Sequence, residues 1–384
     1  MAKKTKSTEQ HKEPLLRITR VNSMPLWKSY LIHVGFFLAA FAVYLLIIYL
    51  FTGAKPGAVI ESMISGAFGT KLFSRSMWTT IRDTMLLLGV ALALTLAFKM
   101  RFWNIGGEGQ FILGAIAAAT VAFKLGAALP APLTLILMCL AAMLAAGLYG
   151  ALVAVLKVKF GTNETLMTLM LNYIALYFVT FLGETQADWN FFLDKTSVRP
   201  IFASFAKTVS FPRIPMGKFG LNICVILTFL IGILVFIYLK YTKHGYEIAV
   251  VGDSVGTARY AGMKVDRIVL RTVFLSACLI GLASAFKVGT AGVLSTSITD
   301  DVGWTGIIVA WLSQLNTAAI FVVSALIGVL HYGSTVAAAT FARVDSSFAN
   351  MLQGVILFLV LAADFYTRFK IVPVQKGGNG HGNG

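Results

Sequence analysis

Ten residues hold the densest chemistry in the chain: Arg101, Phe102, Trp103, Asn104, Ile105, Gly106, Gly107, Glu108, Gly109 and Gln110. Two amides, one carboxylate and three glycines sit between two long apolar runs. Asn104 and Glu108 are four apart, so a helix places them on one face. Glycine at this density weakens a helix and lets backbones come close. A carboxylate flanked by apolar sequence is costly unless it has partners or water. Two readings follow. The stretch is either a helix break lining a polar route through a membrane, or an interfacial turn with Glu108 facing the cytosol.

A second polar set lies on an otherwise apolar segment. Glu164, Thr168 and Asn172 recur every four residues and make one polar stripe. Asn163 suits an N-cap, and Glu164 suits the positive end of the helix that follows. Asn172 suits either a hydrogen bond to a neighbouring helix or a place on the same route. With Asn104, Glu108 and Gln110, these three complete the candidate substrate pathway.

The third set is the polar segment 245–263. Ile248, Val251, Val255, Ala258 and Gly262 share one helical face, while Gly252 and Gly256 favour two short turns over one helix. The segment is too short and polar to span a bilayer. Its apolar face suits either the membrane surface or a groove on a soluble partner. Gly245, Glu247, Ile248, Val251, Gly252, Asp253, Val255, Ala258 and Gly262 are its candidate contact residues. Other chemistry is sparse. Cys139, Cys224 and Cys278 all fall in apolar runs and read as packing residues, and the five histidines form no ligand spacing.

The elements that must carry these sets are membrane helices. The chain has 384 residues, is 58% hydrophobic and only 12% charged, about half the soluble norm. Several apolar runs reach the roughly 20 residues needed to cross a bilayer. The expected fold is an all-α polytopic membrane protein with about ten transmembrane helices, near 29–51, 79–98, 104–124, 133–156, 162–182, 220–240, 268–290, 304–316, 318–340 and 348–368. Residues 1–28 read as a disordered basic cytoplasmic tail, 29–370 as the transmembrane domain, and 371–384 as a disordered C-terminal tail. Within the domain, 183–219 is an external loop and 241–267 a cytoplasmic one. A net charge of +16 in a soluble protein would suggest nucleic acid. Here loop placement accounts for it, so no nucleic-acid partner is expected. With both termini cytoplasmic, twenty lysines and arginines fall inside and ten outside, with Arg82 and Lys287 inside helices.

These segments together resemble one family. Asn-Ile-Gly-x-Glu-Gly-Gln at 104–110, Glu-Thr-Leu-Met-Thr-Leu-Met-Leu-Asn-Tyr at 164–173 and Gly-Tyr-Glu at 245–247, followed by Ala-Arg-Tyr-Ala-Gly-Met at 258–263, are similar to the membrane permease subunit of bacterial ABC importers. The group includes ribose and branched-chain amino acid permeases, and its nucleoside (guanosine-type) branch is the nearest match. Gly303 to Ala310 and Leu352 to Ile356 resemble its later segments. Ala249, Ser254 and Thr317 depart from it, standing where arginine, asparagine and proline are usual. The resemblance implies an import permease of the bacterial cytoplasmic membrane, not an enzyme, in which 245–263 is the coupling segment that meets a cytosolic ATPase. No G-x-x-x-x-G-K-[ST] pattern occurs in the chain. ATP and Mg are therefore expected on that partner and no cofactor here. The other implied partners are a second permease subunit (identical or different), an extracytoplasmic substrate-binding lipoprotein and the bilayer. A nucleoside is the expected solute, with a simple sugar such as ribose, or an ion-coupled secondary transporter, as the alternatives.

Overall fold

Polar residues at the edges of the apolar runs start the helices. Ser74 Oγ accepts the Met77 N–H at 3.1 Å, Asn163 Oδ1 accepts those of Thr165 and Leu166, Asn222 that of Cys224, and Asn316 that of Ala318. Each satisfies donors that a helix N-terminus leaves open. At the other end Gly161 and Gly292 take the left-handed conformation, with φ of 66° and 71°, and close their helices. The computed structural model describes residues 16–20, 25–69, 74–206, 209–216, 220–341, 351, 354–355, 358–359, 362–363, 365–367 and 369–373.

The order of elements is β1 (Leu16–Arg20), α1 (Leu26–Thr52), α2 (Pro56–Phe68), α3 (Arg75–Lys99), α4 (Gly107–Leu125), α5 (Ala131–Phe160), α6 (Glu164–Glu184), β2 (Arg213–Ile214), β3 (Leu221–Asn222), α7 (Ile223–Tyr241), α8 (Lys243–Asp253), α9 (Val255–Tyr260), α10 (Val265–Ala291), α11 (Val302–Leu312), α12 (Thr317–Thr340) and β4 (Phe369–Pro373). Among the described residues eight helices are long and apolar enough to cross a membrane: α1, α3, α4, α5, α6, α7, α10 and α12. The helix at 304–316, expected to be too short to span comfortably, is the 11-residue α11. The expected helix at 348–368 lies partly outside the described residues, and those described from 351 to 367 are helical. The amphipathic piece within the expected loop 52–78 is the helix α2, which buries Val59, Met63, Gly66 and Ala67.

The chain divides into two compact units. One comprises residues 1–56 and 351–384. In it β1 and β4 pair antiparallel, with Ile18 opposite Ile371. This corrects two expectations, since the fold is not purely α and residues 16–20 of the supposed disordered tail form a strand. Residues 1–15 and 374–384 lie outside the described residues.

The other unit, residues 57–350, holds the candidate sites. Its centre is α10 packed on α5 and α4, with α3 on another side of α10 and α11 and α12 against α3. Small residues set the spacing: a methyl group added at Gly114 would lie 2.9 Å from Gly281 Cα, and one at Gly150 2.6 Å from Ala277 Cβ. Without water to drive association, helices in lipid gain from close approach of this kind. The expected long loop is tied down by aromatics. Phe123 of α4 makes edge contacts with Phe192 and Phe205, and Phe205 N–H bonds the Gly292 carbonyl at 2.8 Å.

The register of β1 and β4 makes a covalent test. Ile18→Cys with Ile371→Cys should form a disulfide in the full chain under mild oxidation, seen as a faster-migrating band that reductant abolishes, because directly paired strand positions meet disulfide geometry. Ile18→Cys with Val372→Cys, off register, should cross-link poorly.

Candidate functional site

α3 runs out at Lys99, and Arg101 turns the chain with a φ of 57°. Asn104, fully buried, shapes the turn that follows. Its Oδ1 accepts the Gly106 N–H and the Gln110 Nε2–H, both at 3.1 Å, and its Nδ2–H donates to Gln110 Oε1 at 3.2 Å. The two amides thus satisfy one another across the start of α4. The α6 stripe docks on the same turn. Thr168 Oγ1 accepts the Ile105 N–H at 3.2 Å and donates to the Glu164 carbonyl at 2.8 Å. Asn172 Oδ1 accepts the Gly109 N–H at 2.8 Å, and its Nδ2–H donates to the Ile105 carbonyl at 2.9 Å. Gly109 must lack a side chain, because a Cβ there would lie 2.9 Å from Asn172 Oδ1 and 3.1 Å from its Cα. Four of the six expected pathway residues, Asn104, Gln110, Thr168 and Asn172, therefore form one buried cluster bonded to itself and to backbone.

Glu108 points the other way. It is 8% exposed, and its Oε2 accepts the Gly303 N–H at 2.9 Å. The Thr299 hydroxyl and the Trp304 N–H face the same carboxylate. α11 has no side-chain cap of its own, since Asp301 before it is left-handed and its side chain accepts no helix N–H. Glu108 thus caps α11 from 195 residues away in sequence while sitting in the first turn of α4. Two helix N-termini, each with a positive dipole end, converge on one carboxylate. Burial of Glu108 is at odds with the interfacial-turn reading. The far end of α11 is held as well: Trp311 stacks on Trp103 at 5.0 Å between ring centroids and touches Phe98. Asp300 and Asp301 before α11, and Gln314 and Leu315 after it, all have positive φ. Such conformations cost of order 1–3 kcal/mol each and persist where surrounding structure enforces them.

Glu164 stands apart from the cluster. Its carboxylate pairs with Lys157 Nζ at 2.7 Å, joining α6 to the end of α5.

In the 245–263 segment α8 stops at Asp253, and Ser254 Oγ accepts the Thr257 N–H to start α9. The break undoes the single apolar face read from the sequence. Ile248, Val251 and Ala258 are buried inside this chain, whereas Val255 is 45% exposed and Gly262 is exposed at the end of α9. Ile248 and Val251 are therefore not free to meet another protein. Gly252 does not serve a bend. It lets α8 lie on the end of α3, where a Cβ would meet the Lys99 carbonyl and come 3.3 Å from Met100 Cα. Gly245 likewise abuts the Tyr238 and Leu239 carbonyls of α7. Glu247 takes Arg271 Nη2–H of α10 at 2.9 Å and lies 3.4 Å from His244 Nδ1. The Arg271 bond, helped by His244, holds its carboxyl below the ordinary value of 4.5. Facing outward are Tyr246, Asp253, Val255 and Tyr260, the last 97% exposed.

A further polar group, which the sequence reading passed over, lies between α3, α10, α12 and the 293–301 loop. Asp83 is bound by Arg82 at 2.9 and 3.1 Å and lies 3.8 Å from Lys287 Nζ, and Asp300 lies 3.9 Å from His331 Nε2. The only signal was the presence of Arg82 and Lys287 within apolar helices. Arg82 adjoins its partner Asp83 in the chain, whereas Lys287 lies 204 positions from Asp83 and meets it only on folding.

The family profile described as branched-chain amino acid transport system / permease component matches residues 76–361. The guanosine ABC transporter permease protein NupP of Bacillus subtilis is 26% identical over 86% of this chain and 93% of its own length. The nucleoside ABC transporter permease protein NupB of Lactococcus lactis is 28% identical over 78% and 81%. The glucose ABC transporter permease protein TsgB13 of Haloferax volcanii is 25% identical over 75% and 77%.

Two measurements bear on this geometry. Glu108→Gln leaves an acceptor but removes the charge, and should lower the stability of the detergent-solubilised chain by about 1–2 kcal/mol. Gly303→Ala should lower it further, because its methyl would lie 2.7 Å from Glu108 Cα. Thermal unfolding ranks the two, and an unchanged Gly303→Ala protein would contradict the contact. The Glu247 carboxylate, followed by 13C NMR, should titrate below 4.5 and move upward in Arg271→Met. The ionised form makes the bridge, so its stabilisation is complete above the ordinary value and is lost as pH falls through the lowered one.

Proposed function

Because the chain belongs to the family of branched-chain amino acid transport-system permease components, we propose that it forms the solute path of an ATP-driven importer for nucleosides. The carrying observation is similarity to guanosine and nucleoside permeases over most of both chains. Likeness to the glucose permease favours a second reading, a simple sugar. The chain is a multi-pass protein of the cytoplasmic membrane. Both termini are cytoplasmic in this proposal. Pairing of β1 with β4 supports their lying on one side, and the concentration of lysine and arginine supports which side.

Energy comes from a separate ATPase that holds ATP and Mg, in keeping with the lack of a Walker pattern here. The ATPase docks on α8 and α9. Its contact is the outward set Tyr246, Asp253, Val255 and Tyr260, since exposed tyrosines beside a valine suit an interface core. Force then has two rigid routes into the membrane: the Gly252 contact with the end of α3, and the Glu247–Arg271 bridge to α10. Both α3 and α10 reach α11 and its Glu108 cap, directly or through α4. Asn104, Gln110, Thr168 and Asn172 fix the start of α4 and so shape the route rather than bind solute. Glu164, paired with Lys157, anchors the cytoplasmic end of α6. A second permease subunit and an extracytoplasmic binding lipoprotein complete the transporter. An ion-coupled mechanism fits less well, because the Glu108 carboxylate is engaged by backbone donors of α11.

Tyr260→Asp tests the docking. It should insert normally and unfold at the wild-type temperature, yet retain less than about a tenth of the co-purifying ATPase and of labelled guanosine uptake, the loss expected of an interface hot spot. Full ATPase recovery with Tyr260→Asp would remove α8 and α9 from the coupling role.

A further inference from the structure

Two small clefts, with room for about 20 and 40 Å3 of water centres, adjoin in the 57–350 unit, and both are walled by Asp83, Leu86 and Lys287. The smaller adds Arg82, and the larger adds Asp300 and His331. Charged residues within membrane helices are costly, and Arg82, Asp83 and Lys287 all lie inside apolar α3 and α10. Mutual pairing alone is a loose account of them. Lys287 Nζ stands 3.8 Å from Asp83 Oδ1, beyond the 2.7–3.2 Å of a direct N–H···O bond. Both groups keep partial exposure, 17% for Lys287 and 24% for Asp83. Asp300, on the wall of the larger cleft with Lys287, lies 3.9 Å from His331 Nε2.

We propose that Asp83, Lys287 and Asp300 form a solute-binding subsite for a vicinal diol, the chemical feature shared by a ribonucleoside and a sugar. A hydroxyl between Lys287 and Asp83 accepts from the ammonium and donates to the carboxylate. The neighbouring hydroxyl donates to Asp300. Arg82 holds Asp83 in place through its two bonds, so it is a positioning residue. The two cations and two carboxylates balance, which favours a neutral polyol over a nucleotide, whose phosphate would leave the carboxylates facing added negative charge. Carboxylate recognition of sugar hydroxyls is a general chemistry, also used where dinucleotide sites read ribose. This subsite rests on the nucleoside-or-sugar reading above and names the part of the solute that such a path recognises.

The test has two arms. In cells carrying the complete transporter, Asp83→Asn should lower guanosine uptake by about tenfold, the worth of a hydrogen bond to a charged group. It should change 2′,3′-dideoxyguanosine uptake less than about twofold on the same scale. Any preference of the binding lipoprotein cancels, because it is the same in both strains. Equal loss for the two solutes means that Asp83 only holds helices together, and overturns the proposal. The second arm does not depend on transport. Thr305 lines the larger cleft, and in a chain whose native cysteines are replaced, Thr305→Cys in nanodiscs is labelled by a small thiol reagent. Ribose should slow that labelling, 1,4-anhydro-2,3-dideoxyribitol should not, and Asp83→Asn should abolish the protection. Failure of wild-type cells to take up guanosine or glucose would refute the transport reading alone, whereas absence of ribose protection refutes the subsite.

Discussion

One buried carboxylate joins two helix beginnings. Glu108 sits in the first turn of α4 and caps the first turn of α11, so an orphan donor of α11 is met and the dipole ends of both helices converge on one carboxylate. α11 is short, lacks a side-chain cap of its own and is bracketed by left-handed residues on both sides. Without the cap its N-terminal donors would lie unpaired in the interior, which in lipid costs several kcal/mol per group. The position of α11, and with it the break in the membrane-spanning pattern, depends on that contact.

The contact depends in turn on close approach. Gly303 leaves room for the Glu108 backbone, and Gly109 leaves room for Asn172. From its far side the α6 stripe holds the start of α4 through Thr168 and Asn172, and the Asn104–Gln110 amide pair closes the turn before it. The side chains of Asn104, Glu108, Gln110, Thr168 and Asn172 in this junction all have protein partners. That completeness marks the junction as a rigid part of the proposed transporter, with the solute meeting more loosely paired groups elsewhere.

A rigid junction suits the proposed coupling. α8 contributes its apolar residues to this chain's own core, so a push on its outer surface is delivered to α3 and α10 through packed contacts instead of being lost in a surface helix. Packed interiors respond to such loads by switching between arrangements, not by continuous deformation.

The sequence by itself determined the environment, most helix positions, their caps and the polar residues that matter locally. Apolar runs of spanning length admit few alternatives in a bilayer, and Asn163 caps the helix whose start it marks. Four-residue spacing correctly put Thr168 and Asn172 on one face, because both act within a single helix. Tertiary structure decided everything that needed a partner distant along the chain. Glu108 bonds Gly303, Lys287 approaches Asp83, and β1 pairs with β4, none of which spacing encodes. It also decided which face of 245–263 is outward. A helical repeat assumes one unbroken helix, and the cap at Ser254 rotates Val255 into solvent while Ile248 and Val251 go into the core.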